Sequence, residues 1–390
     1  MKTIKERPSL KRGRRRVSKR WVSPHTSGVR SSPTTPGRLL IYGVTGYTGR
    51  LVAAQAKARG LDVVLAGRSA ERVRPLAQSL RLPWRAVGLD EPSRLDKVLD
   101  HVDVMLNLAG PFMMTARPAL ESCLRTNTHY LDVTGELAVF QDLHRYDSRA
   151  RTRGIMVMPG IGFAALASDC LAAHVASRLP KAQFLRLGIS RPDIFSRGTL
   201  KTMFSLVRER VSIRREGRLT SVPVGRLERT FDYGEGQRVS TAVNWADVYT
   251  AYYTTGIPNI EVYAEAGVFE RGFYQLGAWF AEPMKLAPWQ WMQDLQASMW
   301  PEGPSEAERA ASRRVIVAEA EDQWRRQVCS RLTTPDGYSF TADVALTVAE
   351  RVLAGEYQAG FQTPAGVYGA DFVLAFEGVR REDLKKYSWV

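Results

Sequence analysis

Leu39–Leu40–Ile41–Tyr42–Gly43–Val44–Thr45–Gly46–Tyr47–Thr48–Gly49 decides how the rest of this 390-residue chain is read. Four apolar residues run straight into a G-x-x-G-x-x-G turn, and the Ala-, Leu- and Gln-bearing stretch Arg50–Arg59 beyond it reads as helix. Strand, glycine turn and helix in that order form the context in which a glycine motif points to a dinucleotide. Gly43 permits the tight turn, and Gly46 lets the backbone approach a pyrophosphate. Gly49 lets the helix pack close to the strand, with its first N–H groups aimed at the phosphates.

Working outward, five more strand-like runs follow at regular intervals: Asp62–Ala66, Arg85–Gly88, Val102–Leu106, His129–Val133 and Ile155–Met158. Helical stretches separate them near Ala70–Leu80, Ser93–Leu99, Pro118–Thr126 and Ala138–Arg151. Alternation of this kind predicts an α/β fold, a Rossmann-type doubly wound parallel sheet over 37–163. A second α+β domain is expected over 164–341, inserted before a C-terminal helix, with 342–390 packing back on the first domain.

In such a sheet the ligand lies across the carboxyl ends of the strands, so the strand-end residues carry the chemistry. The expected cofactor contacts are Gly43, Thr45, Gly46, Tyr47, Thr48 and Gly49 of the turn, Arg68 and Ser69 after the second strand, and Asp90 after the third. Asn107, Gly110 and Pro111 after the fourth strand complete the set. Arg68 is the most informative. An NAD site places an acid at the end of the second strand, whereas Arg68 stands there between Gly67 and Ser69, 19 residues after Gly49. A guanidinium suits the extra 2′-phosphate of NADP, so NADP(H) is the expected cofactor.

No catalytic group stands out. Tyr130 and Asp132 are candidates for proton donor or orienter near the fifth strand end, and the alternation of strand side chains is read as keeping them from sharing one pocket. No Tyr-x-x-x-Lys pair follows the turn at the fifth strand, where Thr134 lies four residues past Tyr130, which argues against short-chain dehydrogenase chemistry. His129 and His174 read as structural histidines.

With these residues in view, the chain resembles the saccharopine dehydrogenase-like oxidoreductases, in the branch that includes trans-acting enoyl reductases. Gly43–Gly49, Ala66–Ser69, Asn107–Phe112, Tyr130–Glu136 and Pro159–Phe163 carry the likeness. So do Ser196–Thr199, Gly303–Ala310, Gly360–Pro364 and Gly369–Leu374, so that it extends from about 38 to 380. Where the family commonly shows an Asp after Phe163 and a Pro before Ser-Asp, this chain has Ala164 and Ala167, followed by Ser168–Asp169. The resemblance implies an NADPH-dependent oxidoreductase reducing a C=C, C=N or C=O bond of a metabolite or lipid-like intermediate. The alternative is a non-catalytic NADP-binding or scaffold protein.

The second domain reads less clearly. Ser168–Leu179 is expected to be helical, as are Leu200–Arg210, Ser305–Gln323 and Thr341–Leu353. Arg226–Phe231 and Ile260–Ala264 read as strands, and Arg197 with Thr199 as a site for an anionic substrate group. Trp279, Trp289, Trp291 and Trp300 crowd one stretch that suits a second core, a homodimer contact, a substrate gate or a peripheral membrane contact.

Composition narrows the classes further. The chain carries +15, but +10 of this lies in residues 1–36, which hold eleven basic residues and one acid, leaving +5 on the rest. That tail reads as disordered, and fits a solvated extension, an organelle transit peptide or a nucleic-acid arm. The body calls for no nucleic-acid partner. Cys123, Cys170 and Cys329 are scattered and odd in number, so neither a disulfide framework nor a metal site is expected, and a cytoplasmic, reducing setting is the default. No apolar run reaches the length of a membrane-spanning helix.

Overall fold

The computed structural model describes residues 37–191, 210–267 and 302–385. Arg197, Thr199 and the Trp279–Trp300 stretch lie outside the described residues, as do the basic tail and nearly all of the helix expected over Leu200–Arg210.

The first sheet is parallel throughout. Its strands are β1 (Leu39–Tyr42), β2 (Val63–Gly67), β3 (Trp84–Ala86), β4 (Val104–Asn107), β5 (His129–Asp132) and β6 (Met156–Met158), joined late in the chain by β15 (Gly360–Phe361). The order β15-β6-β5-β4-β1-β2-β3 reverses direction between β1 and β4. A crevice opens at such a reversal, because the loops leaving the two strands turn to opposite faces. Every residue of β1, β2 and β4 is buried, since helices cover both faces; that is why these strands appear in sequence as unbroken apolar runs. The crossovers are α1 (Tyr47–Ala58), α2 (Ala70–Leu80), α3 (Pro92–Leu99) and α4 (Phe112–Thr126), then α5 (Leu137–His144) and α6 (Asp147–Arg153). The single helix expected over Ala138–Arg151 is thus two, broken at Arg145–Tyr146.

A π-turn (Phe163–Ala167) leads into α7 (Ser168–Arg178) and the second sheet. That sheet is mixed, in the order β10-β11-β12-β7-β13-β14-β16, with β8 and β9 attached beside β12. Its strands are β7 (Ala182–Ile189), β8 (Val211–Arg215), β9 (Arg218–Val222), β10 (Glu228–Asp232), β11 (Gln237–Ala242) and β12 (Asn259–Glu265). After these come β13 (Arg313–Asp322), β14 (Gln327–Pro335) and β16 (Arg380–Leu384). Only β12 and β7 run parallel; the other pairings among the described residues are antiparallel. Helix α8 (Asp247–Thr255) packs with α7 on the buried face, and α9 (Glu306–Ala311), α10 (Gly337–Leu353) and α11 (Pro364–Tyr368) complete the chain order.

Two expectations are corrected here. The helix read over Ser305–Gln323 stops at Ala311, and Arg313–Asp322 is the central strand β13 instead. Its Ala and Glu residues favour helix, but β7 on one side and β14 on the other supply a ladder along the whole strand. Burial of Arg314, Ile316, Ala318, Ala320 and Asp322 at every second position follows from that pairing. Nor does the segment after 341 go to one domain. Helix α10 begins earlier, at Gly337, and lies on α1, where Arg59 reaches Glu350 Oε2 at 2.6 Å and the carboxylate of Asp343. Strand β15 joins the first sheet through β6, whereas β16 pairs with β14 in the second.

Candidate nucleotide site

The glycines of the turn do different jobs. Gly43 has φ +86°, a conformation that L side chains resist, and a Cβ there would lie 2.6 Å from Ala109 N in the loop leaving β4. A Cβ on Gly49 would lie 2.4 Å from Gly43 O, so α1 can sit this close to β1 only with glycine at that position. Both are requirements of the fold itself. Gly46 is different: it is exposed, and its Cβ would meet only Gly43 O, at an ordinary 3.5 Å. It is also the N-cap of α1, with no side chain capping the helix and no acid in the first turn. The unpaired N–H groups of a helix start therefore face an open approach beside Gly46, with the positive end of the helix dipole behind them.

Around this turn the structure gathers most of the expected contacts. Arg68 is exposed at the end of β2 and has no salt bridge among the described residues. Ser69 beside it is the N-cap of α2. Asp90 is exposed in the turn after β3, its carboxylate close enough to Gly88 that a Cβ there would lie 2.1 Å from Oδ1. Arg68 and Asp90 both act electrostatically on Tyr42, whose buried hydroxyl donates to Val87 O at 2.9 Å and is pushed up to about 12, chiefly by burial. The ends of β1, β2 and β3 thus share one surface. Gly110, after β4, has open space where a Cβ would be, and Pro111 beside it is exposed.

Asn107 is turned inward. It is fully buried; Oδ1 accepts the Ala109 N–H at 3.0 Å, and Nδ2 donates to Tyr130 Oη at 3.2 Å. It shapes the loop after β4 and has no exposed surface of its own. Tyr130 and Asp132 continue the same network. The expectation that they cannot share a pocket is wrong: residues two apart in a strand lie on one face, and Tyr130 Oη donates to Asp132 Oδ2 at 2.8 Å. Both are fully buried. Asp132 Oδ1 also accepts the N–H groups of Thr134 (2.9 Å) and Gly160 (3.0 Å), so one carboxyl ties the end of β5 to the end of β6. Burial pushes Asp132 up to about 6, against the pull of those hydrogen bonds.

Sequence reasoning missed several participants. Glu136 Oε1 accepts the Phe112 N–H at 3.3 Å, joining the loop after β5 to the start of α4. Arg309 and Tyr338, far along the chain, pack on Tyr47 of the turn. Only the recurrence of Gly303–Ala310 as a family motif marked that region beforehand. The two histidines read as structural each have a partner: His129 Nδ1 accepts the Met156 N–H at 2.9 Å and is pushed down to about 4 by burial, and His174 Nε2 pairs with Asp383 Oδ1 at 2.8 Å. Among the described residues no cluster of three or more His, Cys, Asp or Glu side chains could hold a metal, and no helix is long and apolar enough to cross a membrane.

Residues 39–158 match the family model of the saccharopine dehydrogenase NADP-binding domain. Over the first sheet the chain is therefore similar to that family. The chain is also 33% identical over 144 residues to a trans-acting enoyl reductase of Mycobacterium leprae and 28% identical over 156 residues to one of Mycobacterium ulcerans. These matches cover 34% and 38% of this chain but only 33% and 37% of the relatives, so the chain spans little more than a third of their length. Among solved structures, the apo saccharopine dehydrogenase (L-Glu forming) of Saccharomyces cerevisiae superposes with a TM-score of 0.60 at 13% identity, covering 90% of this chain and all of that one. Homospermidine synthase from Legionella pneumophila, in complex with NAD, gives 0.60 at 9% identity over 90% and 92%. At such identities the likeness establishes the fold alone: a parallel Rossmann-type sheet with a second, mixed sheet.

Proposed function

We propose that the chain is an NADPH-dependent oxidoreductase that reduces a C=C, C=N or C=O bond of a small metabolite or lipid-like intermediate. The observation that carries the reading is the pairing of an open backbone approach at Gly46 with an exposed Arg68, unopposed by any acid at the end of β2. A turn of this kind takes a pyrophosphate on backbone N–H groups, and a strand-end guanidinium takes a 2′-phosphate. The family match of the same residues and the reductase names of the relatives point the same way.

In this reading Thr45, Gly46, Tyr47 and Thr48 present their backbone to the pyrophosphate, while Gly43 and Gly49 let that turn exist. Arg68 and Ser69 hold the 2′-phosphate, and Asp90 accepts from the adenine amino group. Gly110 and Pro111 leave room beside the reacting ring. Asn107, Tyr130 and Asp132 act as positioning residues, because their buried polar atoms hold the loops after β4, β5 and β6 in register. Bound NADPH supplies the hydride; the chain supplies its orientation and the shape of the cleft. The test is direct. Fluorescence titration with NADPH should saturate, and a screen of enoyl thioesters, imines and ketones should find one that oxidises it. Failure to bind NADPH at all would remove the proposal.

A further inference from the structure

Tyr47 is the first helical residue after Gly46, and its side chain enters a cage built by the second half of the chain. Its ring meets Gly303 face-on, since a Cβ on Gly303 would lie 2.6 Å from three of the ring carbons. Tyr338 packs edge-on against it, with centroids 5.1 Å apart. The hydroxyl accepts from Arg309 Nη1 at 2.7 Å and donates to Pro304 O. That is the full hydrogen-bonding use of a neutral phenol, and burial raises the pKa of this one. Arg309 is itself fixed, Nη1 donating also to Pro304 O at 3.0 Å and Nε to Ser339 Oγ at 3.2 Å. One residue beyond the turn, Arg50 bridges Thr45 O (3.0 Å) and the carboxylate of Glu302. A capping box starts α9, with the Ser305 and Glu308 side chains each bonded to the other's backbone N–H, and so holds this segment in shape.

We propose that Arg309, 262 residues beyond Tyr47, is a positioning residue for nucleotide binding: through Tyr47 it clamps the phosphate-binding turn into the conformation that presents Gly46. The inference rests on the nucleotide-binding reading above. The turn has no acid or side-chain cap of its own to order it: the Gly46 N–H to Gly43 O bond (3.1 Å) spans it from within, Arg50 Nη1 donates to Thr45 O (3.0 Å), and the Gly43 N–H ties its start to Ala66 O (2.9 Å). Ordering from outside then contributes to affinity by removing the entropy the turn would lose on binding. The clamp touches the part of the site common to both nicotinamide cofactors, so its loss weakens them equally. Arg68, by contrast, acts on the ratio between them.

The experiment titrates NADPH and NADH into the full chain, its Arg309→Ala, Arg309→Lys and Tyr47→Phe variants, and the Tyr47→Phe/Arg309→Ala double variant. A charge-assisted hydrogen bond of this kind is expected to change the dissociation constant by about tenfold. Arg309→Ala and Tyr47→Phe should therefore each weaken both cofactors about tenfold with an unchanged NADPH-to-NADH ratio, and the double variant should be no weaker than the poorer single one. Arg309→Lys should recover part of the loss, since one N–H donor can replace Nη1 but not the Ser339 contact. Unchanged affinity in folded Tyr47→Phe, losses that multiply in the double variant, or a shift in the cofactor ratio would each overturn the clamp. Tyr47→Phe decides the matter should Arg309→Ala not fold. A wild-type chain that binds neither cofactor defeats the nucleotide reading itself, an outcome distinct from all of these.

Discussion

The two sheets of this protein follow different rules, and the difference explains which one a sequence reveals. In the first, strands run parallel between two layers of helices, so β1, β2 and β4 are buried at every position. In the second, one face packs on α7 and α8, and the other carries ion pairs beside a small apolar cluster around Phe231. Arg186 on β7 stands beside Glu261 on β12 and Glu319 on β13, and its guanidinium lies 3.6 Å from Glu261 and 3.0 Å from Glu321. Arg229 meets Glu319 at 2.6 Å, and Arg331 meets Glu382 at 2.7 Å. Strands with alternating charge do not announce themselves as apolar runs. Their identity rests on partners many residues away.

The contrast extends to glycine. In the first sheet's turn, Gly43 and Gly49 serve the fold, whereas Gly46 leaves the space beside the helix start open. In the second sheet, Gly188 exists to admit the Phe231 ring, which a Cβ would meet at 2.7 Å. Substituting Gly46 by Val is the largest expected effect. It should abolish NADPH binding, by more than about a hundredfold, while the melting curve barely moves, because open sites tolerate change within about 0.5 kcal/mol. Gly188→Val should do the reverse, lowering stability by about 1–3 kcal/mol through overpacking while the dissociation constant stays put. Calorimetry and a cofactor titration on both variants check the pair; a destabilised Gly46→Val protein would break the comparison.

Cofactor choice sharpens the first sheet's role. Arg68 offers an always-charged fork, so NADPH should bind about tenfold or more tightly than NADH, the gap narrowing as salt rises. Arg68→Asp should invert the order. Equal dissociation constants in the unmodified chain would take the assignment away from Arg68.

A third prediction concerns the seam between the sheets, where carboxyls are buried. Asp247, at the start of α8, is fully buried and pushed up to about 8 by burial, an effect the nearby Ser168 hydroxyl offsets only in part. Neither of its oxygens has a partner at hydrogen-bond distance among the described residues. Asp169, at the start of α7, is likewise pushed up to about 7 by burial, although Thr254 Oγ1 and Ala365 N donate to it at 2.6 and 2.9 Å. Asp132 in the first sheet shares the direction. A folded-state pKa above the unfolded value means that the native chain holds more protons, so stability is greatest below about pH 4 on this account and is lost as pH rises toward about 8. Asp247→Asn should flatten the upper part of that decline, its melting temperature overtaking the wild type's near pH 8. Parallel curves for the two proteins would show that Asp247 does not titrate there.

The smallest effect is expected on the charged face. Arg186→Met should cost no more than about 1 kcal/mol, because Glu261 keeps Arg215 and the Tyr263 hydroxyl (2.7 Å) as partners. A much larger loss in chemical denaturation would mean that the charge ladder holds the second sheet together.

From the sequence alone came the six parallel strands, nearly all their crossover helices, the glycine turn and the place of Arg68 at the end of the second strand. Each is written locally: burial on both faces makes an apolar run, and a tight turn requires glycine. Tertiary structure alone decided the rest. Arg313–Asp322 is a strand because β7 and β14 flank it, against the helix preference of its Ala and Glu residues. The spacing of Tyr130 and Asp132 puts them on one face of a strand, but they are a buried hub because β4 and β6 enclose that strand. The contact of Arg309 with Tyr47 exists only once the chain has folded back across 262 residues. A side chain's neighbours along the chain set its conformational preferences, but its partners through space set whether it is buried, charged or bonded, and the nucleotide turn is held by both.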